Sequence, residues 1–268
     1  MSGVITLSYW DIVFSALLVL VSGGVSIYLK LGLEKKLAIA SIRTVAQLLL
    51  VGYVLEMVFG INSPLALAPV LLLMVLVATR ESVQRSTRFI TGADRSAFIS
   101  LILAGFVTAY IVTQLIIGVE PWYKPQYIIP LMGMILGNVL TAISLSLDHY
   151  LNTLVTRRAE VEMELALGAT SWEATREAIG EAVAKGMIPT INSMMVVGLV
   201  SLPGMMTGQI LSGTDPLQAV RYQILVMFML AAATSVGCII MSLLVYRRVF
   251  NTRHQLRVEM ILKRAKKK

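Results

Sequence analysis

The sequence predicts an all-α polytopic membrane protein with about seven transmembrane helices, its N-terminus outside, its C-terminus cytoplasmic, and a cytoplasmic helical insertion over residues 150–185. Three observations carry this. The chain is 57% hydrophobic and only 14% charged, against about 45–50% and about 25% in ordinary soluble domains. Its apolar stretches repeatedly reach the roughly 20 residues that cross a bilayer as a helix, and too many of them lack the polar face a soluble helix needs. Lys and Arg are concentrated in alternate connections. An inserted chain satisfies its backbone within its helices, so residues 1–268 read as a single transmembrane domain.

The expected spans are 12–31, 38–59, 64–79, 97–118, 126–147, 187–202 and 217–246. Lys30, Lys35 and Lys36 fall in the first connection. Arg80, Arg85, Arg88 and Arg95 fall in the third, and Arg157, Arg158, Arg176 and Lys185 in the fifth. The intervening connections carry almost none. The positive-inside rule then sets the orientation, and an odd number of spans agrees with it. The N-terminus shows no basic n-region, so no cleaved signal peptide is expected. Cys238 is the single cysteine, which rules out an internal disulfide and a cysteine-based metal site.

The sixth expected span is irregular. It begins near Pro189 and is interrupted at Pro203 and Gly204, since proline lacks a backbone donor and disturbs the turn before it. The apolar piece that follows is too short to cross, and reads as a broken helix or a re-entrant segment. The seventh span restarts at Asp215 as N-cap, with Pro216 at the first helical position. Residues 247–268 hold nine Lys/Arg and one Glu, equal to the whole net charge of +8. This basic tail is expected to face anionic lipid on the cytoplasmic side rather than nucleic acid.

Within the insertion the fifth span continues into water as a helix. Leu151, Leu154, Val161 and Leu165 hold one apolar face while Glu160, Glu162 and Glu164 cover another. Gly168 suits a helix C-cap. Thr170 and Glu173 form a capping-box pattern opening a second helix, with Trp172, Ile179 and Val183 on one face and Glu173, Glu177 and Glu181 as an acidic ridge. A tryptophan at a helix start in water seeks a pocket, so the insertion reads as a docking element for a partner's groove.

Polar groups inside spans are costly and default to functional candidates. Arg43 and Gln47 share a face of the second span, though Arg43 could equally snorkel to the nearby interface. Glu56 lies near the outer end of the same span. Asn138 sits centrally in the fifth span, as helix glue or cavity lining. Asn192 and Ser193 follow Pro189, where freed carbonyls need partners. Gln209 and Gln223 flank the broken segment, and a break within a transporter span points to a substrate region. Met205 and Met206, like Met194 and Met195, form one of two pairs. Thioethers suit soft ions, but Met is also ordinary core filler. His149 and His254 are too far apart in sequence to pair by spacing, so no metal-ligand set is assigned.

The stretch from Glu162 through Leu167, Gly168, Ala169 and Thr170 looks like the loop by which ABC-transporter permeases engage their ATPase. The residues Gly198-Leu-Val-Ser-Leu-Pro-Gly-Met-Met-Thr-Gly208, followed by Asp215-Pro216 and Arg221-Tyr-Gln223, resemble the FetB-type permeases, a family related to bacterial iron exporters and plant aluminium-tolerance permeases. Arg43 with Gln47-Leu48, Gly52-Tyr53-Val54-Leu55, Ile129-Pro130, Gly133-Met134, Gly137-Asn138 and Asn251-Thr-Arg-His-Gln-Leu256 extend the likeness over nearly the whole chain. The resemblance implies a permease of the inner (plasma) membrane, paired as a homodimer with two separate ABC ATPase subunits. Glu162, Glu164, Leu167, Gly168, Ala169, Thr170 and Trp172 would form the coupling surface. It implies metal export, iron-like, in some members and a nucleotide sugar in plant relatives, so a small organic anion stays open as cargo. The sequence holds no G-x-x-x-x-G-K-[ST] loop. ATP and Mg are therefore expected on the partner, with no cofactor or catalytic residue in this chain. An ion-gradient-driven transporter is the rival reading, and it would call for mid-membrane carboxylates that spans three to seven essentially lack.

Overall fold

A computed structural model describes residues 8–60 and 63–263. The N-terminal seven residues, and residues 264–268 of the basic tail, lie outside the described residues. The fold is helical, in chain order α1 (Tyr9–Tyr28), α2 (Glu34–Phe59), α3 (Pro64–Gln84), strand β1 (Arg88–Ile90), α4 (Ala93–Tyr110) with a π-helical extension (Ile111–Ile117), α5 (Pro125–Thr156), α6 (Arg158–Ala166), α7 (Arg176–Val196), α8 (Gly204–Leu211), α9 (Pro216–Val249), a 3₁₀ turn (Val258–Met260) and strand β2 (Ile261–Lys263). Six of the described helices are long and apolar enough to cross a membrane: α1, α2, α3, α4 with its extension, α5 and α9.

Several ends follow from local chemistry. Ser8 and Asp11 form a reciprocal capping box at the start of α1. Ser26 donates to the Glu34 carboxylate and accepts the Leu33 N–H, which fixes the tight turn into α2. Asp215 accepts the Gln218 N–H at 3.1 Å and Pro216 opens α9, as the sequence predicts. At 32 and 34 residues, α5 and α9 run about 48–51 Å, longer than a hydrocarbon core of about 30 Å. Both therefore project beyond it.

The core is built around α5. Met132, Ile135, Val139, Ile143, Leu147, Leu151 and Leu154 are all buried along its length, with α3, α4, α7 and α9 packed against it. α7 crosses α5 and α9 at Gly186, where a Cβ would stand 2.7 Å from the Ala142 carbonyl oxygen and 2.7 Å from the Cys238 Sγ. Only glycine fits so close an approach. By contrast α1 and α2 lean mainly on each other and show their apolar side chains on the surface. In a bilayer such a face is solvated by lipid rather than exposed.

Two expectations, both about Pro189, need correction. The sixth span does not begin at Pro189: α7 is one helix from Arg176 to Val196, with Pro189 inside it. A proline ordinarily breaks a helix by removing one bond, but here Ala178, Ala182, Gly186 and Thr190 are buried on one face and that packing holds the helix through it. The break falls at 197–203, where Gly198 N–H bonds to the Ser201 carbonyl, and Pro203 then caps α8. Pro203 and Gly204 thus lie at the break and Pro189 does not. The basic tail, finally, is folded as far as Lys263. β2 pairs antiparallel with β1, Ile261 opposite Ile90 and Lys263 opposite Arg88, and a bridge joins Phe250 to Leu256. This short two-stranded sheet is an addition to the all-α fold.

Candidate coupling surface and far-end cavity

The contacts sort the molecule into two ends. The insertion end gathers α6, the start of α7, the α3–β1 turn, the end of α9 and the tail. The far end gathers the start of α5, the π-helical segment, α8 and the start of α9.

At the insertion end α6 continues α5 after a kink at Arg157 and stops in a Schellman motif. Gly168 takes φ of 97°, its N–H bonding to the Leu165 carbonyl and the Ala169 N–H to the Glu164 carbonyl. These are the two bonds that satisfy the orphan carbonyls of a helix terminus. Thr170 then receives the Glu173 N–H on its hydroxyl, while its own N–H and hydroxyl donate to the Glu173 carboxylate at 2.8 and 2.7 Å. The backbone bond and then the hydroxyl bond hold the Glu173 carboxyl below the usual carboxylate range. The box opens a turn, and regular helix starts at Arg176. The apex is thus a fixed shape that presents Leu167, 82% exposed, and Trp172, 46% exposed.

This apex is tied to the bundle. The Trp172 ring meets Tyr246 of α9 edge-on at 5.8 Å. Ser171, buried beside it, has its hydroxyl 2.8 Å from the Tyr246 hydroxyl and 2.8 Å from the His254 Nδ1 in the tail. The Ser171 N–H also donates to that nitrogen, so Nδ1 is the accepting nitrogen of this ring. Glu162 pairs with Arg158 at 2.7 Å, and Glu164 is half-buried. Glu181 leaves the expected acidic ridge and turns toward α5, 3.3 Å from Arg157 and 3.5 Å from His149. Between α6 and the tail lies a cleft of about 600 Å³ lined in part by Glu162, Arg253, His254 and Arg257.

Asp148 organises the neighbouring turn. Its Oδ1 accepts from the Ser86 hydroxyl, the Thr87 N–H and the Thr87 hydroxyl, and Arg88 donates to Asn152 one turn on. Sequence reasoning missed Asp148, Ser171 and Tyr246, and weighed His254 only as a metal ligand. A carboxylate at the edge of an apolar span was the signal for the first. The other three meet across 75 and 83 positions, which no local pattern reports.

The predicted pathway residues separate. Arg43 pairs with Glu81 of α3 at 3.2 Å, toward the insertion end, and Gln47 is exposed on α2. Asn138 is spent on its own helix, donating to the Met134 carbonyl. Asn192 and Ser193 are exposed on the surface of α7. Met205 and Gln209, by contrast, come together on the wall of a far-end cavity of about 470 Å³, with Gln126, Tyr127 and Met134 from α5 and Tyr222 from α9. Met206 is half-buried on the same short helix but does not line that cavity. The Gln209 and Gln223 amide oxygens are buried with no hydrogen-bond partner among the described residues. Among those residues no group of three or more His, Cys, Asp or Glu could hold a metal ion.

Residues 9–250 match the Uncharacterised protein family UPF0014. The chain belongs to this family. UPF0014 relatives include the UPF0014 membrane protein YjkA of Bacillus subtilis, 36% identical over 94% of this chain and 99% of its own length. The Probable iron export permease protein FetB of Escherichia coli is 35% identical over 88% of this chain and 89% of its own. The Protein ALUMINUM SENSITIVE 3 of Arabidopsis thaliana is 32% identical over 84% and 81%. No solved structure matches. With its membrane-spanning helices and these relatives, this UPF0014 member is a multi-pass membrane protein of the inner membrane.

Proposed function

We propose that this chain is the permease subunit of an ABC-type transporter, an exporter driven by ATP hydrolysis in a separate ATPase, with the insertion end facing the cytoplasm. Two copies would form the membrane pore over two ATPases, since closed twofold symmetry is the commonest assembly. The chain itself carries no catalytic role in this reading. ATP and Mg belong to the partner.

One observation carries the proposal. The apex between α6 and α7 has a capped, hydrogen-bonded shape, exposes Leu167 and Trp172, and is tied to α9 and the tail. A push on it therefore reaches α9, one of the helices that build the far-end cavity. An apolar side chain exposed to water beside a half-exposed tryptophan suits a groove on a partner. The acidic side chains around it would add charge complementarity and speed the encounter.

For the cargo two readings have support. Metal export, iron-like, is the reading that the name of the Escherichia coli relative supports. A small organic molecule is the second reading, favoured by the size and uncharged lining of the far-end cavity.

Gly168→Val tests the coupling role. No neighbour lies within 4 Å of a Cβ at Gly168, so the substitution acts through the backbone, at about 1–2 kcal/mol for a left-handed residue. The altered apex is expected to leave insertion and ATP hydrolysis in place while transport in reconstituted vesicles falls. Transport that stays proportional to hydrolysis would contradict the assignment.

A further inference from the structure

The break between α7 and α8 stands at membrane depth. Gly186 packs level with Ala142 of α5 and Cys238 of α9. From that level α7 runs on to Val196, about 15 Å at the helical rise. From the same level α5 reaches back to its start at Pro125, about 26 Å. The break therefore lies about 10 Å inside the level of Trp122, Tyr123 and Lys124, the kind of aromatic and basic anchors that mark a membrane interface. The start of α8 agrees, since Met205 shares a cavity wall with Met134.

Backbone at this depth has no bulk water to bond. In the break the N–H groups of Leu199, Val200 and Ser201 all turn to the one Val196 carbonyl. The carbonyls of Gly198, Leu199 and Val200 accept no hydrogen bond among the described residues. Leu199 is 90% exposed and Val200 83%. Asn192, Ser193 and Ser201 are exposed beside them, and their side chains make no hydrogen bond among the described residues. Non-helical backbone in the hydrocarbon region is tolerated only where protein buries it or where it walls a water-filled cavity. Both cases need an opposite wall, and the exposure of these residues means that the rest of the described chain does not supply it.

The patch selects its partner by carrying both halves of a match. Unmet acceptors and unspent donors side by side make a surface that is complementary to itself after a twofold rotation, the commonest closed symmetry. Gly198, Gly204 and Gly208 have no atom within 4 Å of a Cβ, so a second backbone can approach closely. Small residues allow such approach between membrane helices, and serine and asparagine side chains bond across it. No Lys, Arg, Asp or Glu stands between Lys185 and Asp215, so no like-charge pair opposes the contact.

We propose that the end of α7, the break and α8 form the surface through which two copies of this chain meet inside the membrane. This rests on the permease reading and names the contact by which its two copies pair. The Asn192 amide and the Ser193 and Ser201 hydroxyls of one copy donate to the carbonyls of residues 198–200 of the other. Leu199 and Val200 cover the same stretch of the opposite copy.

The test oxidises the full-length protein in membrane vesicles with copper phenanthroline. Leu199→Cys, Val200→Cys and Leu202→Cys probe the break. Val107→Cys probes α4, which packs against α5 and α9 away from α7. Gly105 beside Met132 puts Val107 at a similar depth, and Val107 is exposed. The wild type, whose single cysteine is buried, sets the background. A disulfide needs Cα atoms within about 7 Å, so a link reports direct contact. At least one of the three break variants is expected to give a covalent dimer while Val107→Cys stays monomeric. No link from any of the three, or an equal yield from Val107→Cys, would overturn the assignment. A C-terminal fluorescent fusion of the wild-type chain, bleached in single lipid vesicles, is expected to show two steps, and single steps alone would also overturn it. Asn192→Leu is expected to weaken pairing about fivefold, because a twofold contact makes each interhelical bond twice, and unchanged pairing would contradict the bonding assigned to it. Co-purified ATPase is scored separately. ATPase retained without links at the break sinks this surface alone, and links at the break without any ATPase partner sink the permease reading alone.

Discussion

At the insertion end a single oxygen of Asp148 accepts three hydrogen bonds. At the far end the amide oxygens of Gln209 and Gln223 are buried and accept none among the described residues. The same contrast holds in packing. Gly186 is pressed between α5 and α9, whereas Gly204 and Gly208 of α8 have nothing within 4 Å of a Cβ. Close packing marks the crossing of α7 with α5 and α9 at Gly186, whereas the far end surrounds a cavity; buried polar atoms without a partner among the described residues occur at both ends, the Tyr150 hydroxyl at the insertion end and the two glutamine oxygens at the far end. Such an unequal division suits a machine that receives force at a stiff end and handles a ligand at a soft one, because regions that move are drawn from the less stable parts of a structure.

The largest expected effect attacks the close-packed crossing of α7 with α5 and α9. Gly186→Val forces a branched side chain against the Ala142 carbonyl oxygen and Cys238, and is expected to destabilise by about 3 kcal/mol or more, read as a large fall in the unfolding temperature in detergent. Gly208→Ala at the far end is its control. It should be neutral or stabilising by up to about 1 kcal/mol, since alanine is the better helix former. Similar losses in both would erase the contrast.

Next is Asp148→Ala, which removes the acceptor of the Thr87 N–H and hydroxyl while Ser86 keeps the Arg88 carbonyl, and should cost about 1–2 kcal/mol. Hydrogen exchange at the Thr87 amide should quicken with it. The far-end counterpart, Gln209→Leu, removes an unsatisfied amide and should leave stability unchanged or slightly raised.

A smaller effect is expected from the tail. Ser171→Ala and His254→Ala should each cost about 1 kcal/mol, and the double variant less than their sum because both break one cluster. Strict additivity would mean that the tail does not hold the apex.

The smallest concerns Glu173. Its carboxyl is held below the ordinary carboxylate range by the Thr170 N–H and then hydroxyl. A depressed acid stabilises above its unfolded value and loses that contribution as pH falls through the folded one. The protection factor of the Thr170 amide, its exchange measured against the intrinsic rate at each pH, should therefore hold at neutral pH and fall on acidification below the usual carboxylate range. Glu173→Gln, which keeps an acceptor without titrating, should flatten that dependence.

Much of this was legible from local pattern. The caps at Gly168, Thr170 and Asp215 are short-range chemistry and stand where the spacing put them. The apolar face of Leu151, Leu154, Val161 and Leu165 is buried or half-buried as its periodicity implies. The continuity of α7 was hidden because Pro189 and the acidic side chains drew attention away from Ala178, Ala182 and Gly186. Those small residues repeat every four positions, a close-packing signal for membrane helices. The tail's pairing with β1 and the Ser171–His254 contact were not legible, since both join segments far apart in sequence. Of the proposed pathway residues, Met205 and Gln209 meet at a cavity. Arg43 is drawn into an ion pair, and Asn138 into its own helix, by partners that periodicity alone does not identify.

The account stands on the apex as the place where a separate ATPase engages. Gentle detergent extraction of the wild type and of a Leu167→Glu, Trp172→Ala double variant, each assayed for co-purified ATPase activity, tests that directly. The account predicts ATPase activity with the wild type and its loss with a variant that still unfolds at the wild-type temperature. Intact wild type with no ATPase partner, or equal activity with both proteins, would contradict it.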